Sequence, residues 1–365
     1  MNATGRIVCG ALLALSASWP AGAGEIVDTY SSGDTLTATM MNNIKAAVND
    51  NNTASRFYGD GSAGDLLVAA GGTDNWSLTP PTNTNFQNVE IENGSSLIVP
   101  AGTIIRCTGS FVNRGTIIVM PNGKGGYRSY TDSDPSGTWS YTGVPASPGD
   151  TGVSSQPGAS GTADLLAYGY GGSGIRRAVA ASAFMGFRWG GGAGSGTRYA
   201  GSSGGGLLKV LCQGEVRNEA GAEIRAKGFG SISLRGSGGG GGGIVVLASQ
   251  QSVVNAGNID VSGGVGGLSS IDTGAGGGGG GGIAVLVAPQ VTNSGTVDVS
   301  GGAAGSESTS TGTATGMRYA GAGGGASGGS GGHGTSLNAG GVYTPATPGE
   351  DGYVLEITAN PATMM

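Results

Sequence analysis

The sequence predicts an all-β fold: parallel β-solenoid-like repeats backed by a glycine-rich layer, with a short N-terminal helix. Three observations predict it. Within 204–302 one phrase is written three times, each copy opening on a glycine run (204–206, 238–243, 276–282) followed by an apolar strand (207–211, 244–248, 283–288). Each copy then reaches an asparagine (Asn218, Asn255, Asn293) and a second strand ending near Ala226, Val261 or Val299. The asparagines lie 37 and 38 residues apart, and a period of that size marks a repeat architecture in which neighbouring units bury what one cannot bury alone.

Composition supports the repeat and excludes several functions. Glycine and proline (Gly 80, Pro 13 of 365) make up about a quarter of the chain, against 37% apolar residues. Without a period that balance would indicate disorder; with one, glycine is a structural element. No proline-bearing Gly-X-Y triplet repeats, so a collagen helix is excluded. The net charge of −6 is spread over 11% charged residues with no basic stripe, which leaves nucleic-acid binding without its electrostatic footprint.

Residues 1–23 read as a secretory signal peptide: Arg6, an apolar 7–15 and the small-residue site Ala21-Gly22-Ala23, with the mature chain starting near Gly24. That apolar run falls short of the ~20 residues a bilayer span needs, and no later segment reaches it. The expected location is secreted or at a bacterial cell surface.

The segment 24–58 is the one helical stretch. Residues 32–35 offer caps, and Leu36, Met40, Met41, Ile44 and Val48 recur at helical spacing. A stripe this short is not independently stable and needs the body of the protein or sister chains to pack on. Segment 59–126 switches to a two-residue alternation around two corners, Asn93-Gly94 and Asn113-x-Gly115, and places Ile117 and Val119 inside with Thr116 and Ile118 outside. A glycine in the left-handed region explains an N-x-G bend.

Stacking the corners in register aligns other residues. Cys107 and Cys212 each lie six residues before an asparagine, so they occupy one position in neighbouring coils, one strand spacing (~4.8 Å) apart. That spacing suits a disulfide, as does export to an oxidising compartment; two buried thiols are the alternative. The same register stacks Arg225, Asp260 and Asp298 on an outer face, a charge column worth ~0–1 kcal/mol, and makes the asparagines a ladder in which each amide bonds the next coil.

Two insertions interrupt the repeats. The first, 127–203, carries ten aromatic residues, nearly half of the chain's total; the second, 303–348, is rich in Gly, Ser and Thr. They share a phrase, G-T-R-Y-A-G around Arg198 and Tyr199 and G-M-R-Y-A-G around Arg318 and Tyr319. The segment 349–365 supplies a closing strand, GYVLEI at 352–357, that matches the first strand of the repeat, and a tail.

A glycine run carries the largest ordering entropy of any sequence, so an isolated one is disordered. Several at one period can lie side by side as extended strands of three residues per turn and bond laterally through their backbones. The runs GGGGGGIVVLASQ and GGGGGGIAVLVAPQ, with aromatic-bearing loops at their ends, resemble the glycine-rich adhesins at the tips of T-even-type phage tail fibres. That resemblance implies a sandwich of polyglycine II helices whose tip loops bind outer-membrane proteins or lipopolysaccharide. The stretch SGDTLTATMMNNIKAAVNDN resembles a segment near the attachment ends of some phage tail fibres, which implies a homotrimer through the N-terminal helix; a helix capping the first coil is the alternative. The leader and the N-x-G coils, which resemble bacterial surface proteins, set the chain apart as an exported bacterial form.

No catalytic constellation is present. His333 is the single histidine, inside a Gly/Ser tract, so a Ser-His-Asp triad or a histidine metal site would rest on it alone. No phosphate-binding G-x-x-x-x-G-K-[ST] occurs, and neither a metal nor a cofactor is expected. The expected function is therefore a non-enzymatic structural or adhesive protein presenting loops to a cell-surface glycan or protein. Phe187, Trp189, Arg198, Tyr199, Arg318 and Tyr319 are the candidate contacts, because aromatic faces stack on sugars and guanidinium forks bond them. Against this stands a plainer reading, in which the aromatics pack the insertion. A β-helix carbohydrate-active enzyme with two carboxylates flanking a groove, or an ice- or mineral-binding face, are the alternative functions.

Overall fold

The computed structural model describes residues 37–121, 171–188, 190–195, 201–230, 236–269, 274–306, 328–337 and 343–364, with Gly323 and four two-residue strand fragments between 129 and 166. The signal peptide expected at 1–23 lies outside these residues.

Alternating apolar residues build six successive coils of three strands each. Coil one holds β1 (Leu66–Val68), β2 (Thr73–Asn75) and β3 (Asn85–Phe86); coil two holds β4 (Val89–Ile91), β5 (Ser96–Val99) and β6 (Thr103–Cys107). Coil three is β7 (Phe111–Asn113), β8 (Thr116–Val119) and β9 (Leu207–Cys212); coil four is β10 (Val216–Asn218), β11 (Glu223–Arg225) and β12 (Ile244–Ser249). Coil five is β13 (Ser252–Asn255), β14 (Asn258–Asp260) and β15 (Ile283–Ala288); coil six is β16 (Gln290–Asn293), β17 (Thr296–Asp298) and β18 (Tyr353–Thr358). Every strand pairs in parallel with its counterpart one coil away, giving three six-stranded sheets. The fold is a three-sided parallel β-solenoid.

Inward residues stack in columns. Leu97, Ile117, Ile224, Ile259 and Val297 share one register on the second sheet, and Ile105, Val210, Leu247 and Leu286 share one on the third. All of them except the end-coil Val297 are fully buried, each side chain worth about 1.5–3 kcal/mol. Trp76 stacks on Phe86 with ring centroids 6.1 Å apart and closes the interior at the first coil.

The third sheet is buried on both faces, which is why β9, β12 and β15 read as unbroken apolar runs. Its outer face, including Leu207, Leu211, Ile244, Val246, Ile283 and Val285, is covered by Phe57 and Tyr58 of α1 (Ala38–Tyr58) and by Phe184 and Phe187 beside α2 (Arg177–Ala183). Two cations from this face hold helix ends. Arg106 donates from Nε to the Phe57 carbonyl (3.1 Å), and Lys209 donates from Nζ to the Met185 carbonyl (2.6 Å), both complementing a helical C-terminus.

Several expectations need correction. Each coil has three strands rather than two, and the asparagine closes a strand, since Asn218, Asn255 and Asn293 end β10, β13 and β16. Asn93 is not part of that column. Ile91 pairs with Asn113, while Asn93-Gly94 forms a turn with Gly94 at φ 75°. The corner glycines Gly115, Gly257 and Gly295 are not in the left-handed region; a Cβ on each would meet the backbone of the preceding coil closer than 3.0 Å. Of the expected helical stripe Met40 and Ile44 are partly buried and Met41 and Val48 are 50% and 54% exposed, while Ala47, Ala54, Phe57 and Tyr58, which the spacing did not mark, are the buried residues of α1. Thr37 caps α1, its hydroxyl accepting from Met40 N. A second helix, α2, begins at Arg177 inside the first insertion, where the sequence marked no helix. The closing strand is β18, paired along its whole length with β15. No helix among the described residues is long and apolar enough to cross a membrane.

Candidate functional site

From coil three onward the chain leaves the solenoid at one corner. Between the second- and third-sheet strands it runs out and back before β9, β12, β15 and β18. Each of these four excursions carries a glycine-rich arm whose described limbs pair as a hairpin. In the first, Gly191 N donates to Gly205 O and Gly194 N to Ser202 O (both 2.8 Å). In the second, Gly240 bonds Phe229 O and Gly243 bonds Ala226 O; in the third, Gly276, Gly279 and Gly282 bond the carbonyls of Gly267, Gly264 and Val261. In the fourth, Gly349 bonds Gly302 O and Gly352 bonds Val299 O.

Neighbouring arms join by the same three-residue step. Along 238–243, consecutive N–H groups turn to three neighbours in rotation. Gly238 and Gly241 donate to Ser195 and Gly192, Gly239 and Gly242 to Gly277 and Gly280, and Gly240 and Gly243 to the outgoing limb of their own arm. Glycine is required here for space. A Cβ on Gly239, Gly240, Gly242, Gly279 or Gly281 would sit closer than 3.0 Å to a neighbouring carbonyl, and none of these five has a positive φ. With no side chain in the way, backbone donors and carbonyls of adjacent arms satisfy each other, and the glycines of 238–243 are buried.

The hairpins place the outer limits of their described limbs together. Gly238 N donates to Ser195 O, Gly267 N to Ser237 O and Gly305 N to Gly276 O. Arg198 and Tyr199 belong to the stretch between Ser195 and Gly201, and Arg318 and Tyr319 to the stretch between Ser306 and Gly323; all four, with Trp189, lie outside the described residues. Phe187 is described and is not a presented contact. It is 7% exposed and packs with Phe184 against the third sheet, as the plainer reading of the aromatics has it.

The other marked residues fall on the solenoid. Cys107 and Cys212 are register partners with Cα atoms 4.5 Å apart, and their sulfurs are bonded. The asparagines form a ladder: the Nδ2 groups of Asn113, Asn218 and Asn255 donate to the next Oδ1 at 2.8, 2.8 and 2.9 Å. Asp260 does not pair with Arg225 above it. Arg225 turns to Glu223 (2.5 Å) and holds that carboxyl below the usual range, while Asp260 and Asp298 accept from the serines two residues on. Among the described residues no three His, Cys, Asp or Glu side chains gather in a metal-binding group. His333 accepts at Nδ1 from Gly171 N (3.2 Å), tying the first insertion to the fourth arm.

Sequence reasoning found the glycine run on the return limb of the first three arms and missed the outgoing limb. The signal was there: Gly263-Gly264 and Gly266-Gly267 precede the third run as its pairing partners. Compared with protein-family models, curated proteins and solved structures, the chain matches none.

Proposed function

We propose that the protein is an exported structural or adhesive protein that uses a β-solenoid to anchor a stack of polyglycine II arms and presents the arm tips to a cell-surface glycan or protein. The observation that carries this reading is the rotation of backbone bonds along 238–243, which returns to the same neighbour every three residues. Three residues per turn without internal hydrogen bonds is the geometry of this helix, and glycine alone permits such close lateral packing. A lattice held by backbone bonds on several sides is a stiff platform, and stiffness lowers the entropy that loops lose on binding. The repeated R-Y phrase, at Arg198-Tyr199 and Arg318-Tyr319, supplies the planar cation and aromatic face suited to a sugar or a protein surface. The N-terminal half of α1 exposes Met41 and Val48, in keeping with a homotrimer through this helix.

The test is binding of purified protein to a glycan array and to whole bacterial cells. Replacing Arg198, Tyr199, Arg318 and Tyr319 with alanine is expected to lower binding at least tenfold while the melting transition stays in place. Binding unchanged in the quadruple variant would sink the assignment.

A further inference from the structure

The solenoid ends unequally. At the first coil β1, β2 and β3 are also edge strands, but only two or three residues long, and the stacked Trp76 and Phe86, both buried, cover the interior. At the sixth coil β16 and β17 are edge strands of their sheets, and Val291, Val297 and Val299, which pack on the core, are only partly buried. Among the described residues no seventh coil follows. After β18 the chain turns through Asn360, which accepts from the Tyr58 hydroxyl (3.2 Å), and packs beside α1 on the outer face.

One residue breaks the chemistry of this open end. In the column Ile105, Val210, Leu247, Leu286 the next position belongs to Glu356, which pairs with Leu286 on β18. Its neighbours Leu355 and Ile357 join the outer cluster, so Glu356 occupies an inward position, and it is exposed, with no strand paired beyond it among the described residues. Its carboxylate also ends the asparagine ladder. Asn293 Nδ2, which in a longer solenoid would donate to the next asparagine, donates to Glu356 Oε1 (2.8 Å).

We infer that Glu356 is the end-stop of the solenoid: it caps the asparagine ladder and, by placing an inward charge on the open last coil, keeps that coil from pairing with the last coil of a second copy. An unpaired, partly apolar strand edge is a template for association, and an inward-pointing charge is a known way to blunt one. Pairing would bury the carboxylate against a second copy whose last coil carries the same charge. Because the first coil is closed, the contact that Glu356 prevents is tail to tail. Such an isologous contact closes at a doubled mass and does not propagate into fibres.

The experiment compares wild type, E356Q and E356L as full chains by sedimentation velocity and light scattering over a hundredfold concentration range, with melting curves for each. Wild type keeps one mass. E356L, which completes the aliphatic column, is expected to double that mass with concentration, and adding Val297→Lys to E356L to restore the wild-type mass. E356Q keeps an acceptor for Asn293 and loses the charge, and is expected to double at higher concentration; it reports alone if E356L fails to fold. A folded E356L, or in its absence E356Q, with wild-type mass throughout would overturn the inference, as would open-ended polymers or a doubling that survives Val297→Lys.

Discussion

Asn218 shows what a single residue contributes to this solenoid. Its Nδ2 donates to Asn255 and its Oδ1 accepts from Asn113, both at 2.8 Å, and the side chain is buried. Replacement by isoleucine matches the shape of Ile91 two coils earlier in the column, yet it orphans a donor on one side and an acceptor on the other. Each orphaned buried group costs about 1–3 kcal/mol. At Asn113, the first rung, the same replacement orphans the Asn218 Oδ1 acceptor and the buried Gly115 N–H, which donates to Asn113 Oδ1 (3.1 Å). Urea denaturation is therefore expected to show that Asn113→Ile and Asn218→Ile together cost less than the sum of the two single losses, because the pair removes both ends of one shared bond, and strict additivity would refute a ladder that couples its rungs. Burial has a similar effect at Tyr58, whose phenol it pushes well above the ordinary range. The ladder was legible from the 37- and 38-residue spacing. Its starting point was not, because Asn93 and Asn113 look alike in sequence and only strand pairing shows Ile91 in the register position.

At the scale of an element, the glycine arms depend on space. A Cβ on Gly242 would meet the Val261 carbonyl and the Gly282 backbone closer than 3.0 Å, and neither is a flexible side chain that could move aside. Gly186, in the turn after α2, has nothing within 4 Å of a Cβ and an ordinary φ. Gly242→Ala is expected to destabilise by about 1–3 kcal/mol or more, as overpacking does, and Gly186→Ala to stay within about 0.5 kcal/mol. Thermal unfolding of the two variants checks this; similar melting temperatures would mean that the arms yield easily. The sequence pointed to lateral packing of these runs because their backbone groups need partners. It gave no direction for the packing, since a run without side chains has no face to read.

For the whole molecule, the Cys107–Cys212 bond ties coil two to coil three across a separation of 105 residues that contains the entire first insertion. In the chain-entropy account, closing a loop of that length stabilises by about 4–5 kcal/mol. Replacing both cysteines with serine is expected to lower the urea midpoint accordingly, and a loss below about 1 kcal/mol would show that strand pairing alone holds the insertion in place. The bridge was legible because both cysteines stand six residues before a ladder asparagine. Phe187 was not, because an aromatic residue in an insertion reads the same whether it faces water or, as here, covers the third sheet.

The sequence by itself determined the parallel β-repeat, the inward residues at 117 and 119, the cysteine register and the strand that closes the stack. These follow from side-chain periods of two within a strand and 37–38 between coils, which local chemistry writes directly into the chain. Only the tertiary structure decided the third side of each coil, the common corner from which the arms leave and the inward position of Glu356 at the open end. Strands of three or four residues are too short to declare a period of their own, and glycine runs declare none. Their places follow from the backbone partners that the assembled coils supply.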